Sequence, residues 1–245
     1  MNEDLCRVYS DEEIGDALFQ IGPLKAPGPD GLPACFFQRN WGLLKEDIIG
    51  AVKEFFNTGV MPPGVNDTCI VLIPKVNHPE HLKDFRPISL CNVIYKVASK
   101  VMANRLKVIL PDIIAEEQSA FVPGRLIIDN IITAYECLHF MKKKRAQDQR
   151  CCALKLDMRK VYDRVEWDYL CAIMLRLGFH RLQVESIMRL VTTVSFPVLL
   201  NGARLENFVP SRGICQGDPI SPLPVFVGSR GPFVPVKSQN TVIDS

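Results

Sequence analysis

The sequence predicts an α+β fold, and three observations carry that expectation. Apolar residues recur at helical spacing over several segments, two short β-type runs bracket an Asn-Gly dipeptide, and the order from residue 151 onward reads strand, helix, helix, hairpin. A chain of 245 residues with 47% hydrophobic and 23% charged content can bury a core and holds one or two compact units.

Each element has a local reason. Ser10-Asp11-Glu12-Glu13 fits a capping box, and Ile14, Leu18 and Ile21 give the helix after it one apolar face that Gly22-Pro23 ends. Residues 25 to 33, KAPGPDGLP, concentrate glycine and proline and read as a turn or loop. Helical stretches are expected over 33–41 and 43–58, then a β-type run, CIVLIPK, over 69–75. From Val93 to Leu110 apolar residues recur at helical spacing, which predicts a long half-buried helix stopped by Pro111 and carrying Lys96, Lys100, Asn104 and Lys107 on its opposite side. A further helix over 127–145 ends in Lys142-Lys143-Lys144-Arg145, and both this run and the polar side of the preceding helix read as solvated faces or helix ends, or otherwise as phosphate contacts. CCALKLD (151–157) reads as a strand, 167–179 and 181–193 as helices, and SFPVLL and ARLENFVP as the arms of a hairpin whose Asn201-Gly202 turn suits positive φ.

Composition narrows the function classes. Twenty-nine basic and 27 acidic residues leave a net charge of +2, so affinity for nucleic acid has to come from local basic patches. Nine scattered cysteines show neither a C-x-x-C pair nor zinc-type Cys/His spacing, which reads as a reduced, intracellular protein. The acidic, polar N-terminus lacks signal-peptide character, and no apolar run approaches a membrane span. The expectation is a soluble protein of the nucleus or cytoplasm.

Chemistry is expected at Asp157, where an apolar strand ends beside turn-like sequence. A strand fixes such a carboxylate while its oxygens face a cleft, a placement suited to a divalent ion; taken alone, the same residue reads as a helix cap or an ion-pair partner. Five motifs resolve the choice by their order: KAPGPDG, IPKV with DFRPISL, QSAFVPGR, KLD-x-x-K-x-YDRVEW and RGICQGDPISP. Together they resemble the reverse transcriptases of LINE-type (non-LTR) retrotransposons, in a version similar to plant elements, from about residue 10 to Pro222.

That resemblance implies a right-hand polymerase acting on an RNA template and a DNA primer with dNTPs and Mg²⁺. Residues 1–150 would hold the fingers with early palm elements, and 151–222 a partial palm. Asp157 would be the catalytic residue and ligand of two metal ions about 3.5–4 Å apart. Tyr162 would lie beneath the incoming sugar and exclude a 2′-hydroxyl; read as a residue alone it is equally a core tyrosine. Gln216 and Gly217 would lie along the nascent base pair, and Gly217-Asp218-Pro219 is also good helix-start chemistry. Lys75 and Arg86 would supply cations to the triphosphate or form surface ion pairs, and Arg125 would meet a template phosphate or belong to a structural turn.

Two departures stand out. Val161 occupies the position where the family has alanine, beside the expected nucleotide pocket. After Pro222 the family continues into a helix and an aromatic-Ala-Asp-Asp hairpin, whereas residues 223–245 diverge, and the sequence contains no adjacent Asp-Asp pair. Codons permitted for Leu223 onward, read one base along, give Tyr-Leu-Phe-Leu-Leu, similar to the missing helix. The expectation is therefore a poorly ordered tail read out of frame, through an inserted base or a mis-set intron boundary, and a catalytically inactive chain lacking the C-terminal palm hairpin and thumb; the nucleotide sequence beyond Pro222 tests it, and absence of such a frame there refutes it. The alternatives are a non-enzymatic RNA- or DNA-binding remnant and a transposon-derived product without function.

Overall fold

A computed structural model describes residues 2–114, 119, 122–143, 161–200 and 203–221. The strand expected at 151–157 with Asp157, the Asn201-Gly202 turn, the Val161 side chain and the tail beyond 222 lie outside the described residues. What is described is a mixed helical fold with two small antiparallel sheets.

The chain opens with a helix that the sequence reading did not anticipate, α1 (Asn2–Cys6), which buries only Leu5. The capping box then forms as expected: the Ser10 side chain accepts from the Glu13 amide, the Glu13 carboxylate accepts from the Ser10 amide, and α2 runs Asp11–Phe19. Helices α3 (Ala34–Arg39) and α4 (Trp41–Thr58) follow, the latter ended by Gly59 at φ 75°. Strand β1 (Thr68–Pro74) pairs antiparallel with β2 (Phe85–Cys91), a strand that no periodicity announced.

Helix α5 (Val93–Ile113) is the centre of the molecule, and it corrects two expectations. It continues two residues past Pro111, because a proline in the last turn removes only one amide near an end where the hydrogen-bond ladder is already closing. Nor is its polar side simply solvated, since Lys96 is only 8% exposed, and Arg105, which the sequence reading did not single out, 7%. One continuous core joins α1–α5 to helices α8 (Trp167–Arg176) and α9 (Arg181–Thr192) of the second half, with Leu18, Phe55, Met102, Leu170 and Leu190 all fully buried. Between the halves lie α6 (Ile127–Lys143), whose side chains are exposed, and the short α7 (Val161–Arg164). The expected hairpin is present as β3 (Phe196–Leu200) and β4 (Ala203–Phe208), paired from Phe196↔Phe208 to Leu200↔Ala203. Among the described residues no helix is long and apolar enough to cross a membrane.

Arg105 staples the N-terminus to α5. Its guanidinium stacks 3.7 Å from the Tyr9 ring centroid, donates to the carbonyls of Leu5 and Val8 at 2.9 and 3.0 Å, and binds Glu13 at 3.1 and 2.8 Å. The hydrogen bond from Arg105 pulls the Glu13 carboxyl down to about 2 from its ordinary 4.5. Its stabilisation is therefore present above the unfolded value and lost as pH falls through 4.5 towards 2. Because Glu13 is a quarter exposed, solvent screening leaves about 1–2 kcal/mol of this at neutral pH. Glu13→Gln is expected to remove that acid-dependent component, read as a flatter urea-unfolding stability between pH 5 and pH 2; a wild-type slope in the variant would contradict it.

Candidate functional site

Three backbone and side-chain anchorages build the site from the run Gly213–Ser221. The first holds it to α7: the Gly213 amide donates to the Val165 carbonyl at 2.8 Å and the Ile214 amide to the Tyr162 carbonyl at 2.8 Å, while Trp167 Nε1 donates to the Gly213 carbonyl at 2.7 Å. Gly213 has φ 89°, and a Cβ there would sit 3.0 Å from the Tyr162 carbonyl oxygen, so this docking requires glycine.

The second anchorage is to the free edge of β2. The Ser89 amide, turned away from β1, donates to the Gln216 carbonyl at 2.8 Å. Alternation along the strand turns the Pro87 nitrogen to the same outer side, so proline here removes no ladder bond. Gly217 follows at φ 112°, and a Cβ on it would lie 3.1 Å from the Ser89 carbonyl oxygen. Both its conformation and the approach of β2 demand glycine, a reason separate from any contact with a ligand.

The third anchorage is a buried carboxyl that sequence reading missed. Asp218, 4% exposed, accepts hydrogen bonds from the hydroxyls of Tyr95 and Ser99 on α5 and from the Ile220 amide at 3.2 Å. Burial raises its pKa, against the lowering effect of those hydrogen bonds. The signal for it was present: Tyr95 and Ser99 are polar residues at i, i+4 on the buried face of α5, where they need a polar partner.

These anchorages bring Tyr162, Gln216 and Gly217 to one cavity of about 470 Å³, floored by Ile88 and Ser89 and lined also by Lys25, Lys96, Lys100 and Asp218. Three of the expected site residues, Tyr162 and the distant pair Gln216-Gly217, thus share one space. Lys75 and Arg86 do not line it. They lie exposed near the tip of the β1–β2 hairpin, where the Lys75 Nζ donates to the Lys83 carbonyl at 3.0 Å. Pairing of Ile73 with Arg86 puts Arg86 on the same face of the sheet as Ile88, two residues farther from the cavity floor.

Arg125 is half-buried, and its Nη2 donates to the carbonyls of Pro111 and Ile114 at 3.2 Å each, where it satisfies carbonyls at the C-terminal end of α5. The KAPGPDG segment packs on the β2–α5 junction. The Asp30 amide donates to Asn92 Oδ1 at 3.2 Å, and Asn92 Nδ2 donates to the Gly64 and Val65 carbonyls at 2.9 and 3.2 Å, so Asn92 ties two loops to the start of α5.

Among the described residues no group of three His, Cys, Asp or Glu side chains is arranged for a metal ion. Among the described residues the acidic one lining the cavity, Asp218, is committed to Tyr95 and Ser99 and does not fit a metal-ligand role.

Comparison with known proteins gives a consistent answer. A family model described as reverse transcriptase (RNA-dependent DNA polymerase) matches residues 73–226. The chain is 31% identical over 210 residues to the transposon TX1 uncharacterized 149 kDa protein of Xenopus laevis, covering 86% of this chain and 16% of that protein. It is 25% identical over 217 residues to a retrovirus-related Pol polyprotein from type-1 retrotransposable element R2 of Popillia japonica, 88% of this chain and 29% of that one. The corresponding polyprotein from type-2 retrotransposable element R2DM of Drosophila melanogaster is 26% identical over 226 residues, 91% of this chain and 20% of its own length. The chain thus spans less than a third of the length of each of these relatives.

Proposed function

We propose, for a chain that belongs to the reverse transcriptase (RNA-dependent DNA polymerase) family in its non-LTR retrotransposon form, that the cavity between Tyr162 and Gln216-Gly217 receives the incoming nucleotide against an RNA template and a DNA primer. In this reading the region through α5, with the projecting β1–β2 hairpin, forms the fingers of a right-hand polymerase. Helices α7–α9, the β3–β4 hairpin and residues 213–221 belong to the palm. The observation that carries the proposal is the meeting of Tyr162 with Gln216 and Gly217 in one open, lysine-bordered space.

The residues have separable roles. Tyr162, held by its own carbonyl to the Ile214 amide, presents its ring to the sugar and leaves no room for a 2′-hydroxyl. Gln216 and Gly217, fixed by β2, lie along the new base pair. Lys75 and Arg86, on the exposed hairpin outside the cavity, would meet a triphosphate only as it approaches, and Arg125 would act at the template side by holding the end of α5.

The family is divalent-metal dependent, and Mg²⁺ supplies charge stabilisation at the attacking primer oxygen and the departing pyrophosphate. Asp157 is the residue proposed to hold it. With no Asp-Asp pair in its sequence, the 245-residue polypeptide is expected to bind but not to extend a primer, and templated synthesis with Mg²⁺ or Mn²⁺ would overturn that part. The binding role is tested by titrating dTTP and UTP into the protein bound to a primer–template. Tyr162→Ala is expected to reduce the preference for dTTP by about 10-fold or more. An unchanged ratio would remove Tyr162 from the sugar position.

A further inference from the structure

We propose that the lysine-bordered end of the cavity is a phosphate-binding site whose cations are Lys25, Lys96 and Lys100. The inference rests on the nucleotide-cavity reading above and adds to it the residues that grip the anion. Lys96 and Lys100 stand one turn apart on α5, and Lys25 reaches the same space from the loop after α2. Lys75 and Arg86, which the sequence pattern nominated for phosphate, do not line the cavity.

The chemistry of the lining points to an anion. Among the described residues none of the three lysines forms an ion pair. Among the described residues of the lining the acidic one is Asp218, and its carboxyl is engaged by Tyr95 and Ser99. Lys96 is 8% exposed, and its Nζ donates to the Ala26 carbonyl at 3.0 Å, which fixes the ammonium and leaves two further N–H donors.

Burial pulls the Lys96 pKa down, although nearby acidic groups partly oppose it. Burial also lowers the Lys100 pKa, followed by the like charges of Lys107 and Lys25. Charge has therefore been gathered here against desolvation and self-repulsion, and a bound phosphate relieves both. Lysines suit this task as compact point charges with rotatable donors. A cavity of about 470 Å³ also falls within the usual size range of small-ligand sites, roughly 300–1,000 Å³.

The phosphate comes either from the nucleotide or from the strand backbone, and one experiment separates them. The full chain is titrated with a fluorescent hairpin of RNA template and DNA primer over a series of KCl concentrations, with inorganic tripolyphosphate as competitor. Lys25 is exposed and Lys100 half-buried, so Lys25→Gln with Lys100→Gln tests the site without opening the core; Lys96→Gln is measured beside it with a thermal melt.

The double variant is expected to lower the salt slope by about 2 and the affinity by about 10-fold or more. Tripolyphosphate competing more weakly with the variant than with the wild type assigns the site to nucleotide phosphates. A lower salt slope with tripolyphosphate ineffective on either protein assigns it to the strand backbone. Unchanged affinity and slope together with unchanged tripolyphosphate competition in the double variant overturn the proposal. If Tyr162→Ala still alters the dTTP/UTP ratio, the nucleotide cavity stands without these lysines; if neither variant changes anything, both readings fall.

Discussion

Gly28→Ala is expected to destabilise the protein by about 3 kcal/mol or more. A Cβ at residue 28 would lie 2.1 Å from Asn92 Oδ1, 2.4 Å from the Asn92 nitrogen and 2.6 Å from the Cys91 carbonyl carbon. Two of those three atoms are backbone at the β2–α5 junction, so no rotamer change can make room. The loop must lift, and it takes with it the Asp30 amide bond to Asn92 and the Ala26 carbonyl that holds Lys96. Gly31→Ala is the internal control. That residue has φ 72° with open space around its missing Cβ, so the substitution meets left-handed backbone strain alone and costs about 1–2 kcal/mol. Urea unfolding should show a larger drop in midpoint for Gly28→Ala at unchanged slope; a drop no larger than that of Gly31→Ala would mean that the loop does not pack this closely on the junction.

The second large effect is expected at Asp218. Asp218→Ala leaves the Tyr95 and Ser99 hydroxyls without their carboxyl acceptor inside the core and unties the 215–221 run from α5, at a cost of about 2–4 kcal/mol. The variant also loosens the cavity wall, so nucleotide affinity should fall together with stability. Asp218→Asn keeps the shape and one acceptor, and its pH dependence is diagnostic.

Burial raises the Asp218 pKa in the folded state, so the native protein holds this proton more tightly than the unfolded chain. Its advantage is full below the unfolded value and declines as pH rises through the folded one. The asparagine variant has no such proton to lose. Its stability deficit relative to wild type is therefore expected to shrink as pH rises from 4 upward; a deficit that grew with pH would show that the carboxylate is favoured by its surroundings.

Much of this architecture is legible in the chain because local chemistry and tertiary structure agree. The Ser10–Glu13 capping box, the apolar spacing of α4, α8 and α9, and the paired runs of β3 and β4 each name their element. Where the reading fell short, long-range structure had overridden the local signal. Strand β2 carries Arg86-Pro87 and shows no clean alternation, since its outer edge is covered by Gln216 and its proline nitrogen faces away from β1. Helix α5 looked half-solvated because Lys96, Lys100, Asn104 and Lys107 are ordinarily surface residues, yet Lys96 is buried against the Ala26 carbonyl.

The site shows the same division. Tyr162, Gln216 and Gly217 were named by motif and converge in space. The role of the cations that border them stays open in the sequence: Lys96 and Lys100 read also as a solvated face, and Lys25, the first residue of KAPGPDG, reaches the cavity only through the packing of its loop beside α5. Arg125 reads as a template-phosphate contact or as part of a structural turn, and its Nη2 meets the carbonyls at the end of α5.

The claim that the Tyr162/Gln216 cavity receives the incoming nucleotide is tested most directly by photo-crosslinking. The full chain, bound to an RNA template and a DNA primer, is irradiated with an 8-azido-dATP complementary to the next template base, and the modified peptides are mapped. The account predicts label on peptides containing Tyr162 or residues 214–221, competed by dATP and diminished in Gly217→Ala, where a side chain meets Ser89 of β2. Label confined to other surfaces, or undiminished by excess dATP, would contradict it.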